Sequence, residues 1–333
     1  MDALPSAAMS TLPLAVDGHH VLALPAGTDL PALAAAWFAQ ADWLRVPVTA
    51  SQARSRARPM SGARFRGMVA DVEPEPGELR LTWETSARGP FPLDAESAHA
   101  LGLPSRAYEL YAVTPASGVV GAGPGGPGGP AGPVRPVAEP EVLAWMNAAA
   151  RRSAGAILPA DRARVVLPDP RSSVDLTLWS AVALGPEVAV PLVRPLLSGA
   201  RVSVAAHGTA TGAGEAGHAS APGAYELVAT YQYDGEIRLR LARSSEVPVV
   251  LTALDWREYG PFAYRVAWLP PDDGEYRSEA GSPLHAIARG RIAPYVARAV
   301  AALGRAAGGS VVDGDGFLVD DDELAARAVV DAR

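Results

Sequence analysis

The sequence predicts an α+β protein made of two tandem copies of one domain. Three observations carry this: short motifs recurring in the same order in both halves, apolar residues alternating at strand spacing, and longer stretches at helical spacing. Val69-Ala70 followed by Gly77-Glu78-Leu79-Arg80-Leu81 returns as Val228-Ala229 followed by Gly235-Glu236-Ile237-Arg238-Leu239. Trp83 with Gly89-Pro90-Phe91 returns as Trp256 with Gly260-Pro261-Phe262, and Ala107-Tyr108 returns as Ala263-Tyr264. The spacing drifts between markers and recovers, as expected of one duplicated domain with compensating insertions. Tyr108 is therefore expected to superpose on Tyr264, and Gly77 on Gly235.

Each copy reads β-α-β-β-β-β-α-β, a mixed or antiparallel sheet with two helices, the copies being related by a pseudo-two-fold axis. In the first, His20 to Leu24 is a short buried strand. Thr28 or Asp29 caps a helix carrying Leu30, Leu33, Ala34, Trp37, Phe38 and Ala41 at helical spacing. Arg45-Val46-Pro47-Val48 is extended, and its proline favours a sheet edge. The second copy repeats this with Val174 to Trp179, a proline-interrupted helix at 186–198, and Arg201 to Val204.

A hairpin follows in each copy. Asp234-Gly235 is its turn in the second, between alternating residues 226–231 and 236–241, and Glu75-Pro76-Gly77 takes that place in the first. The segments opening at Tyr108 and Tyr264 give a further strand. A helix from Pro140 presents Val142, Leu143, Met146, Ala149 and Ala150, and one over 291–307 presents Ile292, Val296, Val300, Leu303 and Ala307. Gly308-Gly309 stops the latter, after which Gly155-Ala156-Ile157-Leu158 matches Gly309-Ser310-Val311-Val312 as the closing strand. The two apolar helices are expected to meet across the pseudo-two-fold or to cover equivalent sheet faces.

The resulting organisation is a lead-in at 1–17, a first repeat at 18–170, a second at 173–324 and a tail at 325–333. The first repeat carries a Gly/Pro-rich insertion at 114–138 and the second a Gly/Ala-rich loop at 206–223.

Composition narrows the function classes. Hydrophobic residues at 49% and charged residues at 20% are ordinary for a soluble globular protein. A net charge of −7 argues against a chain that coats nucleic acid or an anionic membrane. No cysteine is present, which removes disulfides, thiolate metal sites and cysteine nucleophiles. Asp2 and the lack of a basic start speak against a secretory signal, and Glu187, Arg194 and prolines interrupt the most apolar run. The expected location is cytoplasmic. All 29 basic residues are arginine, in keeping with a GC-rich, actinobacterial-type codon usage, although lysine has a GC-ending codon too.

Arg54, Arg56, Arg58, Arg64 and Arg66 form the candidate site for an anion or acidic partner, because guanidinium groups at alternating positions fork onto phosphates or carboxylates. Trp83, Phe91, Tyr108, Trp256, Phe262 and Tyr264, recurring in both halves, are expected to be structural aromatics. Asp313-Gly314-Asp315-Gly316 imitates part of a calcium loop, but the first ligand position falls on Val311, which has no side-chain oxygen. His19, His20, His99, His207, His218 and His285 show no metal-ligand spacing. No metal, no cofactor and no catalytic residue are expected. The reading is a non-enzymatic binding or adaptor module, monomeric with pseudo-dimeric halves, whose partner is another protein rather than a nucleic acid or membrane. The alternative is an enzyme or small-ligand receptor using the cleft between the halves, with Asp313 or Asp315 as an acidic group.

Overall fold

Short apolar alternations pair into two antiparallel sheets, of six and seven strands, each packed with helices. The computed structural model describes residues 12–49, 52, 74–116, 139–206, 224–271 and 282–329. The chain divides into two compact units, Met1–Pro168 and Asp169–Arg333.

Unit 1 runs β1 (Val21–Pro25), α1 (Leu30–Ala35), β2 (Asp42–Arg45), β3 (Gly77–Arg80), β4 (Thr85–Leu93), α2 (Ala95–Ala100), β5 (Tyr108–Pro115), α3 (Pro140–Ser153) and β6 (Ala156–Leu158). Its strand order is β2-β3-β4-β5-β1-β6. Asp29 caps α1, its carboxylate accepting the Ala32 N–H at 3.0 Å. Leu22, Leu24, Leu79 and Tyr111 meet α1 and α3 on one face. Trp145 ties those helices together: its indole donates to the Leu33 carbonyl at 3.0 Å and stands edge-on to Phe38. The other face packs Ala23, Tyr108 and Leu110 against Ala98, Leu101 and Leu103 around α2.

Unit 2 runs β7 (Leu176–Ser180), α4 (Pro186–Val193), β8 (Arg201–Ala206), β9 (Tyr225–Tyr231), β10 (Gly235–Arg243), α5 (Trp256–Tyr259), β11 (Phe262–Leu269), α6 (Pro283–Ala307), β12 (Ser310–Asp313), β13 (Leu318–Val319) and α7 (Asp321–Arg327). Read from its far edge, the order β8-β9-β10-β11-β7-β12-β13 repeats that of unit 1 and adds one strand. The register agrees as well. Leu22 pairs with Tyr111 and Ile157, and Leu178 pairs with Tyr264 and Val311. A Cβ on Gly155 would strike the Ala23 carbonyl, and one on Gly309 the Trp179 carbonyl, each the next residue of the first strand.

Several sequence expectations change. Gly77 opens the third strand of its sheet, whereas Gly235 opens the fourth, so they are not equivalent. Glu75 bridges Val48 and is not a hairpin turn; the β3–β4 turn lies at 81–84, with Trp83 on it. Tyr108 and Tyr264 both lie on the fifth strand, but by register Tyr111 is the counterpart of Tyr264. A helix that the β-α-β-β-β-β-α-β reading omits, α2, follows β4, and its Asp94 cap accepts the Ser97 N–H at 2.8 Å. Trp145 rather than the half-exposed Leu143 belongs to the buried face of α3, and α6 begins at Pro283.

Candidate binding groove

The second unit departs from the first after its sixth strand. Asp313 ends β12, and its Oδ1 accepts the N–H groups of Asp315 and Phe317 at 3.1 and 2.9 Å. Gly316, at φ 82°, supplies the left-handed residue that turns the chain into β13. Asp320 then caps α7 by accepting the Glu323 N–H at 2.7 Å. Arg327 reaches back to Asp313 at 3.3 Å and to Glu323 at 2.6 Å, while Leu324 enters the core. The acidic run is thus a turn and a helix cap.

Docked in this way, α7 leaves a groove of about 610 Å³ against α6 and the sheet. Leu178, Leu196, Val311 and Leu324 supply its apolar lining. It stays open because the facing positions are small: Ala301, Gly304, Gly309, Ala325 and Ala328. A Cβ on Gly304 would meet only the tip of Leu178, at 3.9 Å. The volume falls within the range of ligand-binding clefts.

The rim is polar. Arg298 Nε donates to the Ala328 carbonyl at 2.8 Å, fastening the end of α7, and its guanidinium lies 5.9 Å from the Tyr295 ring centroid. Arg305 stands exposed in the last turn of α6 and makes no ion pair among the described residues. Asp321 occupies the first turn of α7. Arg305 and Asp321 each complement the dipole of their own helix end, so charges of both signs border the apolar slot.

The arginines proposed from sequence, Arg54, Arg56, Arg58, Arg64 and Arg66, lie outside the described residues. The six aromatics fall three in each unit. Tyr108 and Tyr264 are buried, and Phe91 and Phe262 are half-buried against the cores. Trp83 and Trp256 are 71% and 60% exposed, which removes them from core packing. Each lies under an arginine, Arg80 and Arg257, at 5.3 and 5.4 Å.

Further polar contacts tie the second unit together. Tyr264 donates its hydroxyl proton to the Val182 carbonyl and accepts the Leu184 N–H, clamping the β7–α4 loop. Asp175 accepts the Trp268 N–H at 2.9 Å and faces Arg265 at 3.7 Å; burial raises its carboxyl above the usual carboxylate range. Asp169 pairs with the buried Arg289 of α6. The alternation that follows could have marked Asp175 as an acid at the mouth of β7; long-range pairs such as Asp169–Arg289 leave no local signal.

Among the described residues no group of three or more His, Asp or Glu could hold a metal, and no helix is long and apolar enough to cross a membrane. No family model, curated protein or solved structure matches the chain.

Proposed function

We propose that this chain is a non-enzymatic binding module whose second unit takes an apolar segment of a partner protein into the α6–α7 groove. The observation that carries this reading is an apolar slot kept open by five small residues, with Arg305 exposed at its rim. An arginine in that position offers a fork to a carboxylate on the incoming segment. We also infer that the units arose by internal duplication, which their common strand order and the matching registers of Leu22 and Leu178 support.

The test uses anilinonaphthalene sulfonate, an apolar anion, as the probe of the folded chain. Gly304→Leu fills the slot while improving helix propensity by about 1 kcal/mol, so it should abolish dye binding and raise Tm. Arg305→Ala should weaken binding with little change in Tm. A photo-crosslinking residue at Ala325 should capture a partner from native lysate, and Gly304→Leu should prevent that capture. Undiminished dye binding or capture in the Gly304→Leu chain would defeat the proposal.

A further inference from the structure

A sheet edge offers unpaired backbone groups to any strand that can reach it, and proteins blunt such edges with short length, bulges, charge or cover. Three of the four edges described here are blunted. In unit 1, β2 has four residues, a register shift between Trp43 and Arg45, charges at Asp42 and Arg45, and Pro47 just beyond. The opposite edge strand, β6, is three residues long, and Val166 returns to bridge Ile157. In unit 2, β13 has only two residues.

The fourth edge, β8, has only one of these devices, a single charge at its first residue. It is the counterpart of β2 in strand order, yet it runs six residues in unbroken register with β9. It contains no proline and one charge, Arg201. Among the described residues nothing pairs with its outer side. Val204 is 44% exposed on it. The helix leading into β8, α4, also exposes Val188 and Leu192, one turn apart.

We propose that β8 is a dimerisation strand, pairing antiparallel with β8 of a second copy about a two-fold axis at Ser203. The sequence favours its own copy as occupant. In this register Ser203 faces Ser203, Val202 faces Val204 twice, and Arg201 faces Ala205, so β-branched side chains meet and no like charges oppose. A two-fold axis normal to the sheet keeps both helix layers on one side, where the apolar residues of the two α4 helices can add to the contact. This interface is separate from the α6–α7 groove, so either proposal can fail alone.

The decisive comparison is sedimentation velocity on the full chain, wild type against Ser203→Lys, over a wide concentration range. The wild type should be a dimer. Ser203→Lys sets two ammonium groups face to face at the axis and should give a monomer with unchanged circular dichroism, since Ser203 is exposed, and with a Tm that no longer depends on concentration. Because the chain has no cysteine, Ser203→Cys should yield one disulfide-linked dimer on mild oxidation, and Trp83→Cys should not. A monomeric wild type overturns the proposal, including one in which both sides of β8 resist amide exchange because the chain covers its own edge. A dimer that survives Ser203→Lys, or a Ser203→Cys chain that stays uncrosslinked, overturns it too.

Discussion

The two units use one sheet plan and finish it differently. In unit 1 the chain leaves β6 through Pro159 to Arg162, and the Arg162 guanidinium turns inward to donate to the carbonyls of Val16, His19, Leu158 and Pro159. That arginine is 5% exposed and held at φ 55°. In unit 2 the corresponding exit becomes a hairpin and α7, anchored by Arg327 on Asp313. Six strands and two principal helices are common property. In unit 2 the added α7 forms the groove against α6 and the sheet, and additions to a shared scaffold are where recognition is expected.

The largest effect expected from this comparison concerns the paired glycines. Gly309, at φ 121°, packs so tightly that a Cβ would lie 2.0 Å from the Trp179 carbonyl oxygen; the same distance for Gly155 and Ala23 is 2.5 Å. Gly309→Ala should cost about 4 kcal/mol in chemical denaturation, and Gly155→Ala about 2, lacking the backbone strain. Equal and negligible costs would break the equivalence.

Next come the two chain exits. Asp313→Ala strands the N–H groups of Asp315 and Phe317 and leaves Arg327 with Glu323 alone, for about 2–3 kcal/mol. Arg162→Met removes the guanidinium donors from four carbonyls, of which those of Val16 and Pro159 keep a backbone N–H, and should cost a similar amount. Because Asp313 anchors the turn before α7, its loss should also reduce dye binding in the groove, whereas Arg162→Met should not.

The equivalent tyrosines sharpen the match further. Tyr264→Phe removes two backbone hydrogen bonds and should cost about 1.5 kcal/mol. Tyr111→Phe removes one bond, to Glu109 at 2.9 Å, and should cost about half as much.

A smaller effect depends on pH. The Asp175 carboxyl titrates higher in the folded chain than in the unfolded one because burial disfavours its charge. Its contribution to stability is therefore complete below the unfolded value and is lost as pH rises through the folded value. Asp175→Asn, which retains an acceptor for Trp268, should be more stable than wild type at neutral pH, with the difference vanishing in acid. Smallest of all, Trp83→Ala and Trp256→Ala should each shift stability by less than about 0.5 kcal/mol, as exposed sites do.

What was legible in the sequence followed local physics. Alternation located β1, β7, β9 and β10, Asp234-Gly235 marked a true hairpin, and the Gly155 and Gly309 segments fell on equivalent closing strands. The other repeated motifs misled in detail. Gly-Pro-Phe lies within β4 in one unit and ahead of β11 in the other, and Gly-Glu-Leu/Ile-Arg-Leu lies on the third and fourth strands respectively. Turn chemistry is reused wherever a chain must reverse, so short Gly-containing motifs can recur without marking equivalent places. The groove gave no sequence signal. It is made of missing side chains, and in an alanine-rich chain Ala301, Gly304, Ala325 and Ala328 read as ordinary helix.

The addition after β12 is proposed to give the second unit its recognition slot. Isothermal titration of the full chain with anilinonaphthalene sulfonate tests it most directly. One site per chain is expected, lost in Gly304→Leu while Tm rises. Two equal sites, or one site indifferent to Gly304→Leu, would contradict it.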